Sequence, residues 1–361
     1  MAKFLLEDVL ISGISCAVPD NRVFNTSFYD SFGKDYVRTF VETTGVVSTC
    51  RSKEEQTASD LCYIAAENLI RKKNIDRQSI GLIVFISQTP DYRLPATACV
   101  LHKRLELSNK CLAFDVNLGC SGFVYGLNIV GSMMQSLDID YALLLNGDTC
   151  VKTNSPLDKS TIMLFGDAGC ATLLAKQRGS KLVGELMTDG SGFKTIIMPS
   201  GAYRNRNGSR EQVKWADGNI RSDYDGFING TDVFSFSITQ VPRLVKKFLQ
   251  ENSVCVDDVD AFVLHQANLL ILKQIAKKIK IPMEKLPISI DRFGNTSGAS
   301  IPLTLCDFFG EDDSMGNAKI LMSGFGVGLS WGVAYAYIDK KNIFPIVYTD
   351  DHYSDGAVSH D

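Results

Sequence analysis

Three side chains stand in contexts suited to covalent and electrostatic catalysis. Cys120 lies in GCSGF, directly after an apolar strand-like run and directly before a helical pattern, so its sulfur is expected at a helix N-terminus. Unpaired backbone N–H groups and the helix dipole favour negative charge there, which predicts a lowered thiol pKa and a thiolate ready for nucleophilic attack. A cysteine also packs well as an inert core residue, and Cys111, Cys150 and Cys170, which flank strands or lie within them, read that way. His265 follows FVL within HQAN at the end of another strand-like run, and the other histidines are His102, His352 and His360. A histidine at a strand end is either structural or turned toward a ligand. Asn295, in FGNTSG, occupies a Gly-flanked turn where an amide either caps a helix or donates into a site.

The elements that must carry these residues repeat. GLIVFIS at 81–87 resembles DAFVLHQ at 260–266, FDVNLGCSG resembles SIDRFGNTSG, and ALLLNGD at 142–148 resembles KILMSGF at 319–325, at offsets of 179, 176 and 177. Each member reads as a short buried strand, and the last two pairs run into a Gly-bearing turn. Between them, residues 59–73, 121–136 and 268–280 place apolar side chains at threes and fours, as helices do. Such alternation predicts an α/β chain with mostly parallel sheets, made of two similar halves, 1–177 and 178–340. The carboxyl ends of parallel strands are where such sheets hold ligands, so two related halves would aim theirs at a shared crevice. Asn295 then falls within one residue of the position equivalent to Cys120, which favours a side-chain donor in that crevice. The polar, turn-rich stretch 201–227 is expected to be a long surface excursion, either covering the site or merely solvated. Residues 341–361 form a C-terminal tail that turns acidic and is expected to pack loosely.

Composition bounds the rest. The 361 residues are 45% hydrophobic and carry a formal net charge of -4, so the chain can bury a large core and has no chain-wide field for nucleic acid. Ten cysteines without a CxxC pair or Cys/His cluster argue against a disulfide framework and against a metal site, and free thiols imply a reducing, cytoplasmic setting. Glu7 and Asp8 interrupt what would be a signal-peptide apolar run, and no apolar stretch is long enough to span a membrane. SGFGVGLSWG at 323–332 lacks dinucleotide-loop spacing and reads as a tight turn presenting backbone N–H groups. GDAG at 166–169 reads as a turn that lets backbones approach closely.

GCSGF, HQAN, GNTSGASIP and GFGVGLSWG, in that order and with His265 and Asn295 separated by 30 residues, together resemble the β-ketoacyl-acyl-carrier-protein synthase III family of the thiolase superfamily. The resemblance covers most of residues 8–338. It implies a thiolase-like five-layered αβαβα fold of two pseudo-symmetric halves, an obligate homodimer, and substrates carried on phosphopantetheine as acyl carrier protein or coenzyme A thioesters, with no other cofactor. It implies that Cys120 takes the acyl group, that His265 and Asn295 hydrogen-bond the malonyl thioester carbonyl during decarboxylation, and that the backbone N–H groups of Cys120 and Val327 form an oxyanion hole. A non-elongating acyltransferase using the same acyl-Cys120 is the alternative. Position 295 is Asn rather than a second His, and no Cys occurs between 319 and 332, which separates the chain from elongating synthases and thiolases respectively. Where the family places a Trp and an Arg for the coenzyme A adenine, this chain has Thr39 and Thr43, so the carrier of the primer stays open. Leu270 replaces a docking Arg. Lys273, Lys277, Lys278 and Lys280 on the same helix either dock phosphopantetheine and an acidic carrier protein or form a solvated face. Leu94 matches a position that reaches into the partner subunit's acyl pocket.

Overall fold

Strands buried on both faces need apolar side chains at every position, and Ile80–Ile86 shows where each face goes. Leu82, Val84 and Ile86 enter one hydrophobic cluster, Ile83 and Phe85 another, as side-chain alternation along a strand requires. The computed structural model describes residues 2–312, 314 and 316–354. The main strands are β1 (Ala2–Pro19), β2 (Ile80–Ile86), β3 (Leu112–Val116), β4 (Tyr141–Asp148), β5 (Ala168–Thr188), β6 (Ala261–Leu264), β7 (Asn317–Gly326), β8 (Ser330–Asp339) and β9 (Val347–Thr349). The helices longer than one turn are α1 (Lys34–Thr44), α2 (Ala58–Lys73), α3 (Thr97–Arg104), α4 (Gly122–Ser136), α5 (Gly230–Glu251), α6 (Leu269–Ile279) and α7 (Ser300–Phe309).

The strand order is β6-β7-β8-β5-β4-β2-β3, with β1 alongside β5 and β9 on β1. Residues 168–175 of β5 pair with β4 and residues 182–188 with β8. One strand therefore runs through both halves, across the 177/178 division. It bends with β1 at Gly179 and Asp8, where the Gly179 N–H donates to Asp8 Oδ1 at 2.6 Å. The bend lets one hydrogen-bonded path serve as two packed sheets.

Five layers result. Helices α4 and α7 lie in the middle, with Phe123, Val124, Leu127, Ile301 and Leu305 packed between inward faces of both sheets. The outer face of the first half is covered by α2 and α3, and that of the second by α5 and α6. This is the thiolase-like αβαβα arrangement. The expected helices appear with one-residue shifts; Thr57 and Asp60 form a reciprocal cap that starts α2.

Three expectations need correction. The sheets are mixed rather than mostly parallel. β2 runs parallel to β3 and β4, and β6 to β7, but β4–β5, β5–β8 and β7–β8 are antiparallel. SIDRFG is not a strand, since Ile290–Phe293 forms a helical turn, and among the described residues the second half has no equivalent of β3. The tail does not pack loosely through residue 353. β9 pairs with β1, Gln56 Nε2 donates to the carbonyls of Thr349 and Asp351, and Tyr353 N donates to Asp60. Residues 355–361, including His360, lie outside the described residues.

Candidate active site

Each half contributes one strand-to-helix corner. After β3 the chain turns through 117–121, with Gly122 N donating to the Gly119 carbonyl at 2.7 Å, and enters α4. Cys120 thus sits at the start of α4 and lines a cavity of about 1320 Å³. Gly326, at the end of β7, closes against it. A Cβ at position 326 would stand 2.7 Å from Cys120 Cβ and 2.8 Å from its sulfur, so only glycine leaves the thiol room. The backbone N–H groups of Val327 and Cys120 and the Ser297 hydroxyl lie near enough to the sulfur to favour its thiolate form.

His265 follows β6 and extends its ladder through a 2.8 Å bond from its N–H to the Ser323 carbonyl. The ring is buried, edge-on to Phe325 at 5.3 Å, with Nδ1 2.7 Å from Ser300 Oγ. Asn295 is held by a neighbouring turn of the first half. Its N–H donates to the Leu164 carbonyl at 2.9 Å, and its carbonyl accepts from Gly166 at 3.2 Å. A side chain at Gly166 would collide with the Phe293 carbonyl, so GDAG is a close-approach turn that seats Asn295. The Oδ1 of Asn295 accepts from Ser297 N at 2.9 Å, which leaves Nδ2 as its group for the cavity. Cys120, His265, Asn295, Phe325 and Val327 all line that one cavity.

Burial dominates the electrostatics. It pushes the Cys120 thiol up to about 11, against the downward pull of the Val327 and Cys120 N–H groups and Ser297, with the Asp148 charge adding to the rise. The expectation of a lowered thiol pKa is therefore overturned: desolvation outweighs the helix terminus. Burial likewise pushes His265 down to about 3, opposed only in part by a backbone group of Ser297. Both groups rest neutral near pH 7.

Other sequence-based assignments fall in several places. Cys111 and Cys170 are buried as expected, but Cys150 lines the cavity rather than the core. Thr39 and Thr43 are exposed, and their neighbours Phe40 and Thr44 face the cavity. Lys273, Lys277 and Lys278 are exposed on α6 and Lys280 is exposed just past its end, with Lys278 Nζ bonded to the Ile238 carbonyl. Leu94 is 78% exposed and does not line its own chain's cavity. The 201–227 excursion reaches the site, since Tyr203, Trp215, Asp217 and Asn219 line the cavity, while residues 202–207 and 209–214 are exposed. Its clasp is Arg221, fully buried, which donates to Asp158 at 2.9 and 2.7 Å and to Asp217 at 2.8 Å, with its guanidinium 5.1 and 5.3 Å from the stacked rings of Trp215 and Phe227. Sequence reasoning passed over Ser297 and Ser300, although both stand inside GNTSGAS. It also passed over Asp148, which ends β4 as Leu264 ends the strand before His265. Among the described residues no cluster of His, Cys, Asp or Glu suits a metal ion, and no helix is long and apolar enough to cross a membrane.

The layered fold and paired corners define a thiolase-like condensing enzyme. Residues 114–190 match 3-Oxoacyl-[acyl-carrier-protein (ACP)] synthase III, and residues 249–338 match the C-terminal part of 3-Oxoacyl-[acyl-carrier-protein (ACP)] synthase III. The β-ketoacyl-[acyl-carrier-protein] synthase III of Clostridium perfringens is 30% identical over 334 residues, covering 91% of this chain and 99% of that one. The synthase III of Syntrophomonas wolfei is 32% identical over 330 residues, 90% and 96% of the two chains. A solved 3-oxoacyl-(acyl-carrier protein) synthase from Burkholderia xenovorans superposes with a TM-score of 0.91 at 36% identity, over 96% of this chain and 99% of that one. The chain belongs to the β-ketoacyl-acyl-carrier-protein synthase III family.

Proposed function

We propose that the protein transfers an acyl group from a phosphopantetheine-linked thioester to Cys120 and condenses it, with loss of CO2, with a malonyl thioester. The observation that carries this reading is the convergence of a helix-tip thiol, a neutral imidazole and a fixed carboxamide on one cavity. Ser300 Oγ lies 2.7 Å from Nδ1; with that hydroxyl as the donor, the neutral ring carries its proton on Nε2 and can donate beside Asn295 Nδ2, both residues lining the cavity. Decarboxylation builds charge on an enolate oxygen, and two preset neutral donors stabilise that charge more than the ground-state carbonyl. The enolate carbon then attacks the acyl-Cys120 carbonyl. The oxyanion formed there is met by the N–H groups of Cys120 and Val327, which already lie near the sulfur. A cavity of about 1320 Å³ has room for both an acyl chain and a pantetheine arm.

Partners follow from the same reading. Lys273, Lys277 and Lys278 offer positive charge to an acidic acyl carrier protein, on a helix whose Ile271 also lines the cavity. β3 ends the sheet with a free edge and Leu112 45% exposed, a suitable surface for a second copy in a homodimer, which Leu94 would enter. Ten unpaired cysteines suit a reducing cytoplasm.

The test is incubation with acyl thioesters and malonyl-carrier protein, followed by intact mass and CO2 release. The expected result is acyl-Cys120, then CO2 in step with product, and loss of both acyl-enzyme and product in Cys120→Ala. Acyl transfer to an oxygen or nitrogen acceptor without CO2 would favour the non-elongating alternative. Full turnover by Cys120→Ala would refute the nucleophile.

A further inference from the structure

The turn between β7 and β8 presents Val327, which lines the cavity with Cys120 and whose N–H completes the proposed oxyanion hole. Val327 stands between Gly326 and Gly328. Neither neighbour has a side chain to brace the backbone, and Gly328 adopts φ +137°, a region other residues rarely enter. The ladder between β7 and β8 closes at the pair Gly326 and Ser330, so residues 327–329 lie beyond it. Leu329 is secured from outside, exchanging two backbone bonds with Asp189 at 2.9 and 3.0 Å. Val327 is held instead by a side chain. Ser330 Oγ donates to the Val327 carbonyl at 2.7 Å. A hydroxyl has one proton to give, so in its second bond, 2.7 Å from Ser121 Oγ, Ser330 accepts and Ser121 donates.

Ser121 directly follows the nucleophile and holds the N-cap position of α4, yet its hydroxyl makes no cap bond. Its proton goes to Ser330 instead. Both side chains are buried, and neither residue lines the cavity. The series Ser121, Ser330, Val327 thus joins the nucleophile's neighbour to the turn that presents the donor, although the two serines are 209 positions apart. Backbones meet closely beside it. A Cβ at Gly324 would stand 2.9 Å from the Cys120 carbonyl oxygen and 3.0 Å from Ser121 Cα. Such contact brings β7 against the corner but sets no angle, whereas two hydrogen bonds in series are directional. We propose that Ser121 and Ser330 are positioning residues for the oxyanion hole, holding the Val327 N–H in a fixed place relative to Cys120. A donor fixed before the charge develops costs no reorganisation when it does.

This inference rests on Cys120 as nucleophile and on the Val327 N–H as a donor to its acyl oxygen. The experiment reads single-turnover transfer from acyl N-acetylcysteamine thioesters by intact mass, and the infrared stretch of an isotope-labelled acyl carbonyl on Cys120. Ser330→Ala is expected to lower the maximal acylation rate about tenfold and to leave the half-saturating thioester concentration within about twofold, because the donor acts on the developing charge more than on binding. It should also move the carbonyl stretch to higher wavenumber, as a weakened hydrogen bond to a carbonyl does. Ser121→Ala leaves the bond from Ser330 to Val327 in place and should act in the same direction by about threefold. The double variant should be no slower than Ser330→Ala, since both serines act along one path. Tyr125→Phe cuts a different bond from the same helix, from Tyr125 Oη to the Met187 carbonyl, and should lower the denaturant midpoint without moving the stretch. A wild-type rate and stretch in Ser330→Ala overturn the proposal, as do additive losses in the double variant or an equal shift in Tyr125→Phe. Ser121→Ala decides alone if Ser330→Ala does not fold. A wild-type stretch as high as that of a free thioester in an apolar solvent overturns the oxyanion-hole reading itself, and Cys120→Ala that still becomes acylated overturns the nucleophile.

Discussion

The two halves end equivalent strands differently. An offset of 177 sets Asp148, at the end of β4, against Phe325 near the end of β7. Behind the thiol stands a buried carboxylate, and beside the imidazole stands a phenyl ring. One architecture therefore supplies two electrostatic settings. The first corner keeps a group that can hold negative charge close to the sulfur. The second excludes charge, so that the imidazole stays neutral and serves as a donor. The duplication fixes where the side chains converge; the divergence at the strand ends fixes what each can do.

The sharpest way to test that division is to remove the donor. His265→Ala is expected to reduce CO2 release by about 10²–10³-fold, the usual loss for one oxyanion donor, while acylation of Cys120 stays near wild type. Equal losses in both steps would mean that the corners are not separable. The first corner has its own probe. Gly326→Ala places a methyl 2.8 Å from the Cys120 sulfur, and a displacement of that order is expected to cost about 10²-fold in acylation. Decarboxylation should fall less, because Asn295 and His265 are seated by residues 164–166, 300 and 323. An acylation rate within about twofold of wild type would show that the sulfur has slack the close contact denies.

Much of this was legible in the sequence, for identifiable reasons. The strands and central helices announce themselves because burial on both faces demands apolar runs, and the duplicated turns reveal the crevice before any coordinate does. Cys120 and Asn295 were found because they stand in Gly-flanked turns, and His265 because it follows a short apolar strand. The thiol's protonation was misjudged because a helix terminus is visible in a motif, whereas desolvation is a property of everything packed around it. The missing strand at SIDRFG has a similar cause. Its alternation allows a strand, but the positive-φ Gly294 and the close seat beneath Gly166 turn the chain instead. The excursion carried no apolar period, so nothing local indicated that one buried arginine would fasten it beside the cavity.

The smallest expected effect tests the neutral imidazole through stability. His265 has a folded value of about 3 against an ordinary 6.5, so between those limits the unfolded chain binds a proton that the folded chain refuses. Stability must then fall as pH is lowered from about 6.5 toward 3, by at most about 1.4 kcal/mol per pH unit. Asp167 acts in the opposite sense. Burial raises it to about 6 from 3.8, so the folded state holds the extra proton and gains stability as pH falls through that window. The two contributions partly cancel in the wild type, and the imidazole must be isolated by difference. Denaturant midpoints of wild type and His265→Asn, followed downward from neutral pH, should diverge below about pH 6.5, the wild type losing more. Parallel curves would mean that the folded imidazole takes up its proton as readily as the unfolded one, and the contrast between a charge-holding and a charge-excluding corner would fall with it.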